Sequence, residues 1–289
     1  MKRKFLSLAG MILASLACGL SNPATSAQPA VETIVAATML ALTTSVTSAP
    51  PAPTLQSGVP VSVSGINLVI PSALGSDVNS ETISEITEES GAPWEVAPAH
   101  TKLHLVGYPL QAKFFEPIIM VYPAAEFEAL SVGAVQSLAK LRVVLASPSA
   151  PLTIDSIPGI PTFNAGQVFV SNMLVISFQN GSGVRALTQY AQYRAPANNF
   201  ELSYQYQGLT SDGKYYVIAI LPVNIAFLAA DDKPDAAVPT DGIPIPASGP
   251  DESYYTAVLQ KLNGTSPDAF SPSLLQLDAL IQSINIISQ

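Results

Sequence analysis

The stretches QVFVSNMLVISF (167–178), NGSG (180–183) and VRALTQYAQY (184–193) decide the architecture of this chain. Both flanks are rich in apolar and β-branched residues, and Asn and Gly between them accept positive φ, so the segment predicts a hairpin turning at Asn180–Gly183. The pattern then repeats. ELSYQYQ (201–207) and KYYVIAIL (214–221) flank Thr210-Ser211-Asp212-Gly213, which predicts a second hairpin and four consecutive antiparallel strands. Along Leu202–Tyr206 the alternation sends Leu202, Tyr204 and Tyr206 toward the core.

Upstream of this meander, Val61–Ile70 alternates and stops at Pro71, as an edge strand or strand pair does. The acidic, polar stretch with Asp77, Glu81, Glu85, Glu88 and Glu89 predicts a loop with a weak helical turn. Lys102–Tyr108 and Pro117–Tyr122 predict buried strands. Pro123 opens a helix to about Leu145, with Phe127, Leu130, Ala134, Leu138 and Leu141 along one side. A Pro-rich connection at 148–161 leads into the meander. Beyond it, Asp251–Leu262 predicts a helix closed by Asn263-Gly264. Ser271 caps a last helix with Pro272 at its first position and Leu274, Leu277, Ile281 and Ile284 packing inward. Hairpin-paired strands with helices grouped apart define an α+β domain over 61–289: an antiparallel sheet with helices packed on it, closed by the C-terminal helix. In element order this region loosely resembles the PsbP-like fold, without a diagnostic motif.

The chain has 289 residues, 48% hydrophobic and only 11% charged, with 12 Lys and Arg against 21 Asp and Glu. Soluble domains are about a quarter charged. An acidic chain offers no footprint for a phosphate backbone, so nucleic acid is excluded as a partner. One cysteine excludes a disulfide framework and a thiolate zinc site. Lys2, Arg3 and Lys4 precede the apolar run Phe5–Ala17, which has the anatomy of a secretory signal.

That run ends in Ala14-Ser15-Leu16-Ala17-Cys18-Gly19, and here the chain resembles a bacterial lipoprotein. The resemblance implies cleavage after Ala17 and acylation of Cys18; Ser15 stands where the family usually has Leu. A plain secretory signal cleaved near Thr25-Ser26-Ala27 and an uncleaved anchor are the other readings, and the position of the single cysteine favours the lipoprotein. Residues 18–60, rich in Ala, Ser, Thr and Pro with a short apolar run at Ile34–Leu42, read as a tether. The expected location is extracytoplasmic, on the cell membrane or outer envelope surface. Removal of residues 1–17 takes away three basic groups, leaving 9 against 21 acidic and a balance of −12.

Chemistry is sparse. His100 and His104 lie four apart, but on a strand that separates them by about 13 Å, too far for one metal ion, and Lys102 between them repels a cation. The Asn180–Gly183 glycines join two strands, whereas a phosphate cradle needs a helix N-terminus. Asn180-Gly181-Ser182 and Asn263-Gly264-Thr265 fit a glycosylation sequon, which a bacterial lipoprotein does not normally use. Asp231, Asp232, Asp235 and Asp241 do not follow the calcium-loop spacing and read as solvated charge. Glu126 and Glu128 do not share a helix face. No catalytic residue, metal site or cofactor is expected.

The segment Gln189–Tyr216 carries the sharper candidate. Its tyrosines and amides suit a ligand face, and Arg185, Tyr190, Tyr193, Arg194 and Asn199 are the candidate binding residues. Against this stands the strand-forming habit of tyrosine, which places alternate rings in a core. The expected function is a non-catalytic binding or assembly module partnered by the membrane through its lipid, and by an envelope protein or glycan. A ligand- or glycan-binding lipoprotein using that face is the alternative, and an unrecognised hydrolase the third reading. A concave pocket beside the candidates separates ligand binding from a flat contact face. The sequence does not set the oligomeric state.

Overall fold

The computed structural model describes residues 57–159, 164–233 and 235–287. The signal segment, Cys18 and the tether up to residue 56 lie outside them. Within them, ten strands and four helices form an α+β domain. Seven strands make one antiparallel sheet in the order β3-β4-β5-β9-β8-β7-β6: β3 (Asp77–Ile83), β4 (His100–Val106), β5 (Ile118–Pro123), β6 (Gly166–Phe178), β7 (Gly181–Ala191), β8 (Ser203–Thr210) and β9 (Tyr215–Pro222). A smaller sheet pairs β1 (Gly58–Val63) and β2 (Ile66–Pro71) with β10 (Asn285–Ile286). Strand β1 therefore starts inside the stretch read as tether.

Both faces of the large sheet are covered. On one, Met120, Ile218 and Ile220 meet Phe127 of α1 (Ala124–Leu130) and Ala134, Leu138 and Leu141 of α2 (Val132–Ala146). On the other, Tyr204, Tyr206, Leu187 and Val217 meet Val258 of α3 (Glu252–Asn263), Leu277 and Ile281 of α4 (Leu274–Ser283), and Ile66 and Leu68 of β2. Strand β9 supplies both layers, Tyr216 and Ile218 to one and Val217 and Ala219 to the other. Burial on both sides explains why its sequence is a continuous apolar run rather than an alternating one.

The predicted meander is present, with details that differ. The turn after Asp212 uses Gly213 at φ 73°, as its type requires. The first hairpin turns at Gln179-Asn180, and Gly181–Gly183 belong to β7. Those glycines serve packing. A Cβ on Gly183 would sit 2.5 Å from Gly208 Cα and 2.6 Å from the Tyr206 ring, whose hydroxyl reaches on to donate to Ile176 O at 3.0 Å. Residues 77–83 form edge strand β3 rather than a loop, because pairing with β4 outweighs their polar composition on a strand with one open side. The helix expected from Pro123 to about Leu145 breaks at Ser131, whose side chain accepts from Ala134 N at 3.3 Å and restarts it as α2, while Pro123 becomes the first N-cap. Ser273, not Ser271, caps α4, accepting from Leu275 N at 3.2 Å.

The C-terminal segment ties the two sheets together. Asn180 donates to Ile286 O at 2.6 Å and accepts from Ile286 N at 3.1 Å, and Gln179 N donates to Ile284 O at 2.9 Å. The first sequon asparagine is thus engaged in holding the chain end. Among the described residues no helix is long and apolar enough to cross a membrane.

Candidate functional site

Past Ala191 the chain leaves β7 and runs along the N-terminal turn of α3. Asp251 starts that helix by accepting from Tyr254 N at 2.9 Å. Two consecutive tyrosines then staple the passing segment to it. Tyr254 Oη accepts from Ala197 N at 3.1 Å, and Tyr255 donates to Ala195 O at 2.9 Å. Between α3, the end of β7 and the start of β6 lies an open groove of about 820 Å³.

Its walls mix rings, amides and one ion pair. Arg194 extends over the Tyr255 ring, 5.6 Å from its centroid, while Nη2 meets Glu252 Oε2 at 3.1 Å. Both partners are well exposed, so the pair orients the guanidinium more than it stabilises the fold. Tyr193, 58% exposed, offers a ring face. Its hydroxyl donates to the Asp232 carboxylate, and that contact, with some burial, pushes the phenol up to about 12. Opposite stand Asn164, Gln167 and Val168. The register slips between Gln167 and Phe169, and the resulting bulge at Val168 bends the strand where the groove begins.

A second cleft of about 400 Å³ opens on the other sheet face, between Gln136 and Lys140 of α2, Gly159, Gln167 and Tyr190. Behind it a polar row runs inward. Gln167 Nε2 donates to Tyr190 Oη at 3.5 Å, Tyr190 donates to Gln205 Oε1 at 3.3 Å, and Tyr216 donates to Gln207 Oε1. Burial pushes the Tyr190 phenol up to about 12. Thr188, Gln205 and Gln207 bound a void of about 10 Å³, enough for one water molecule. These glutamines face away from Tyr204 and Tyr206 as the alternation requires, yet they are buried too, because α2 covers that side.

The candidate residues therefore separate. Tyr193 and Arg194 line the α3 groove, and Tyr190 lines the cleft on the opposite face. Arg185 is no surface anchor. It is 6% exposed in the core beneath α4, its Nε 3.4 Å from Asp278 Oδ1, and Tyr204 donates to the same oxygen at 2.9 Å. Asn199 clamps a loop: its amide donates to Ile225 O at 2.9 Å and Leu228 O at 3.0 Å, and its Oδ1 accepts from Ile225 N at 2.8 Å. Alternation along β7 puts Arg185 inward, and the sequence shows the last helix but not that it packs over Arg185. Glu252, Tyr255 and Gln167 were not anticipated, being distant in sequence. The doubled tyrosine at the start of α3 is the one local sign of them.

His104 bridges Glu81 at 3.0 Å and Glu116 at 3.3 Å, whereas His100 is buried against the Tyr122 ring, 4.2 Å between centroids, with Nδ1 2.8 Å from Pro98 O. Among the aspartates read as solvated charge, Asp231 pairs with Lys233 at 2.6 Å and Asp241 with Lys261 at 3.6 Å. Among the described residues no group of three or more His, Cys, Asp or Glu is placed to hold a metal ion. Comparison with known proteins finds no match for this chain among family models, curated proteins or solved structures.

Proposed function

We propose that this chain is a lipid-anchored, extracytoplasmic, non-catalytic binding module. Acylated Cys18 holds it to the envelope, residues beyond it act as a tether, and the α3 groove receives the ligand. The observation that carries the reading is the groove itself, concave and open, with Tyr193, Arg194 and Tyr255 at its surface. A concavity beside two of the candidate residues favours ligand capture over a flat assembly face. Arg194 and Glu252 neutralise each other, and the Tyr193 phenol, already protonated at neutral pH and pushed up further by Asp232, is a poor base or nucleophile. This combination suits recognition rather than bond breaking.

Two measurements test the reading. Cys18→Ser should abolish fatty-acid labelling and membrane retention, and retention of both would remove the anchor from the proposal. Tyr193→Ala with Arg194→Ala should eliminate hits on combined glycan and peptide arrays while leaving the unfolding midpoint within a few degrees. Hits that persist unchanged in the double variant would place binding elsewhere.

A further inference from the structure

The α3 groove and the α2 cleft lie on opposite faces of the sheet, yet both are lined by Ile154, Ala165 and Gln167. They meet at the start of β6, the edge strand. We infer that they form one trench across this edge and that its ligand is an oligosaccharide, one end on Tyr193 and the other at Tyr190 and Lys140. This inference rests on the binding reading above and names the ligand class.

Three observations select a saccharide. First, a peptide adding to the edge needs an uninterrupted ladder of backbone groups. Strand β6 breaks that ladder at Val168 and again between Ser171 and Leu174, and Asn172 N is already bonded to Asn263 Oδ1 at 2.7 Å. Interrupted edges of this kind resist strand addition. Second, the charge lining is balanced: Arg194 faces Glu252 at one end, Asp232 stands behind Tyr193, and Lys140 is the one charged residue lining the far end among the described residues. A strongly anionic or cationic ligand would meet repulsion along part of the path. Third, the remaining surface sets the exposed Tyr193 ring face beside amides (Gln167, Asn164, Gln192), with the Tyr255 ring lying beneath Arg194. Sugar rings present an apolar face and hydroxyls that both donate and accept, so they pair with these groups without a net charge. Gln167 sits where the two clefts meet and touches Tyr190 through its amide, which makes it the bridging residue.

The full-length protein in detergent should be screened on a glycan array. Calorimetry with two- and six-unit oligomers of β-1,4-linked glucose, mannose and N-acetylglucosamine then measures the length dependence, alongside a displayed peptide library. At least one six-unit ligand should bind about tenfold more tightly than its dimer. Tyr193→Ala should weaken both lengths. Gln167→Ala should weaken the six-unit ligand by a clearly larger factor than the dimer. Equal affinity for both lengths overturns the crossing. Peptide hits lost in Tyr193→Ala, with no saccharide hit, overturn the saccharide class and leave the groove reading standing. Silence on both arrays overturns both.

Discussion

Removing the charge of Asp278 is the perturbation that most directly decides what Arg185 does. The guanidinium is 6% exposed, Asp278 is 9% exposed, Nε lies 3.4 Å from Oδ1, and Tyr204 donates to that oxygen at 2.9 Å. Arginine Nε and Nη1 have no hydrogen-bond partner among the described residues. Burial raises the Asp278 carboxyl above its ordinary range, with Arg185 and Tyr204 pulling it back. Asp278→Asn keeps the shape but leaves a buried cation that cannot lose its proton, which should cost about 3–5 kcal/mol. Arg185→Leu should cost less, because Asp278 can take up a proton instead. With its folded pKa above the unfolded value, that variant should be more stable near pH 4 than near pH 7, the extra stability being lost as pH rises from the ordinary carboxyl range through the folded pKa. Arg185→Leu with Asp278→Leu removes both charges and should come back to within about 1–2 kcal/mol of the parent. Urea unfolding followed by circular dichroism at both pH values measures the cycle. A loss below about 1 kcal/mol in Asp278→Asn, or a double variant no better than that single one, refutes a paired core and returns Arg185 to the list of ligand anchors.

Three other outcomes follow from the same contacts. Asn180→Ala deletes both side-chain bonds to Ile286 and should cost about 1–3 kcal/mol, with amide exchange accelerating first in β10 and the end of α4; uniform exchange would mean that the turn is no clamp. Gly183→Ala forces a Cβ against Gly208 and the Tyr206 ring and should destabilise by about 1–3 kcal/mol, read as a lower urea midpoint. At high pH, Tyr190 ionises near 10 in the unfolded chain but only at about 12 in the fold. Its contribution, complete below pH 10, should vanish as pH rises through 12, and Tyr190→Phe should flatten the alkaline fall in stability by about 2–3 kcal/mol.

Local pattern was enough for the meander, the two Tyr residues of β8 in the core and the apolar faces of α2 and α4, because alternation and helical spacing are short-range signals that burial obeys. The α+β class followed from the same hairpins. Where the reading missed, a distant partner was responsible. Residues 77–83 are polar enough for a loop and become β3 only because β4 lies beside them. Gly181 and Gly183 read as a turn and are strand positions emptied for the Phe178 and Tyr206 rings respectively.

The candidate site shows the same division more sharply. The sequence by itself marked Gln189–Tyr216 as unusual in tyrosine, amide and arginine, and it marked Cys18 as the one residue whose position suggests an anchor. It could not sort those side chains between two faces of a sheet, since adjacent strand residues point in opposite directions and both directions are covered here. Tertiary structure alone sent Arg185 to Asp278 under α4, turned Asn199 into a loop clamp, and brought Glu252 and Tyr255 to Tyr193 and Arg194 from more than fifty residues away. A groove is a relation between elements, set by which helix packs where, and no stretch of one strand encodes it.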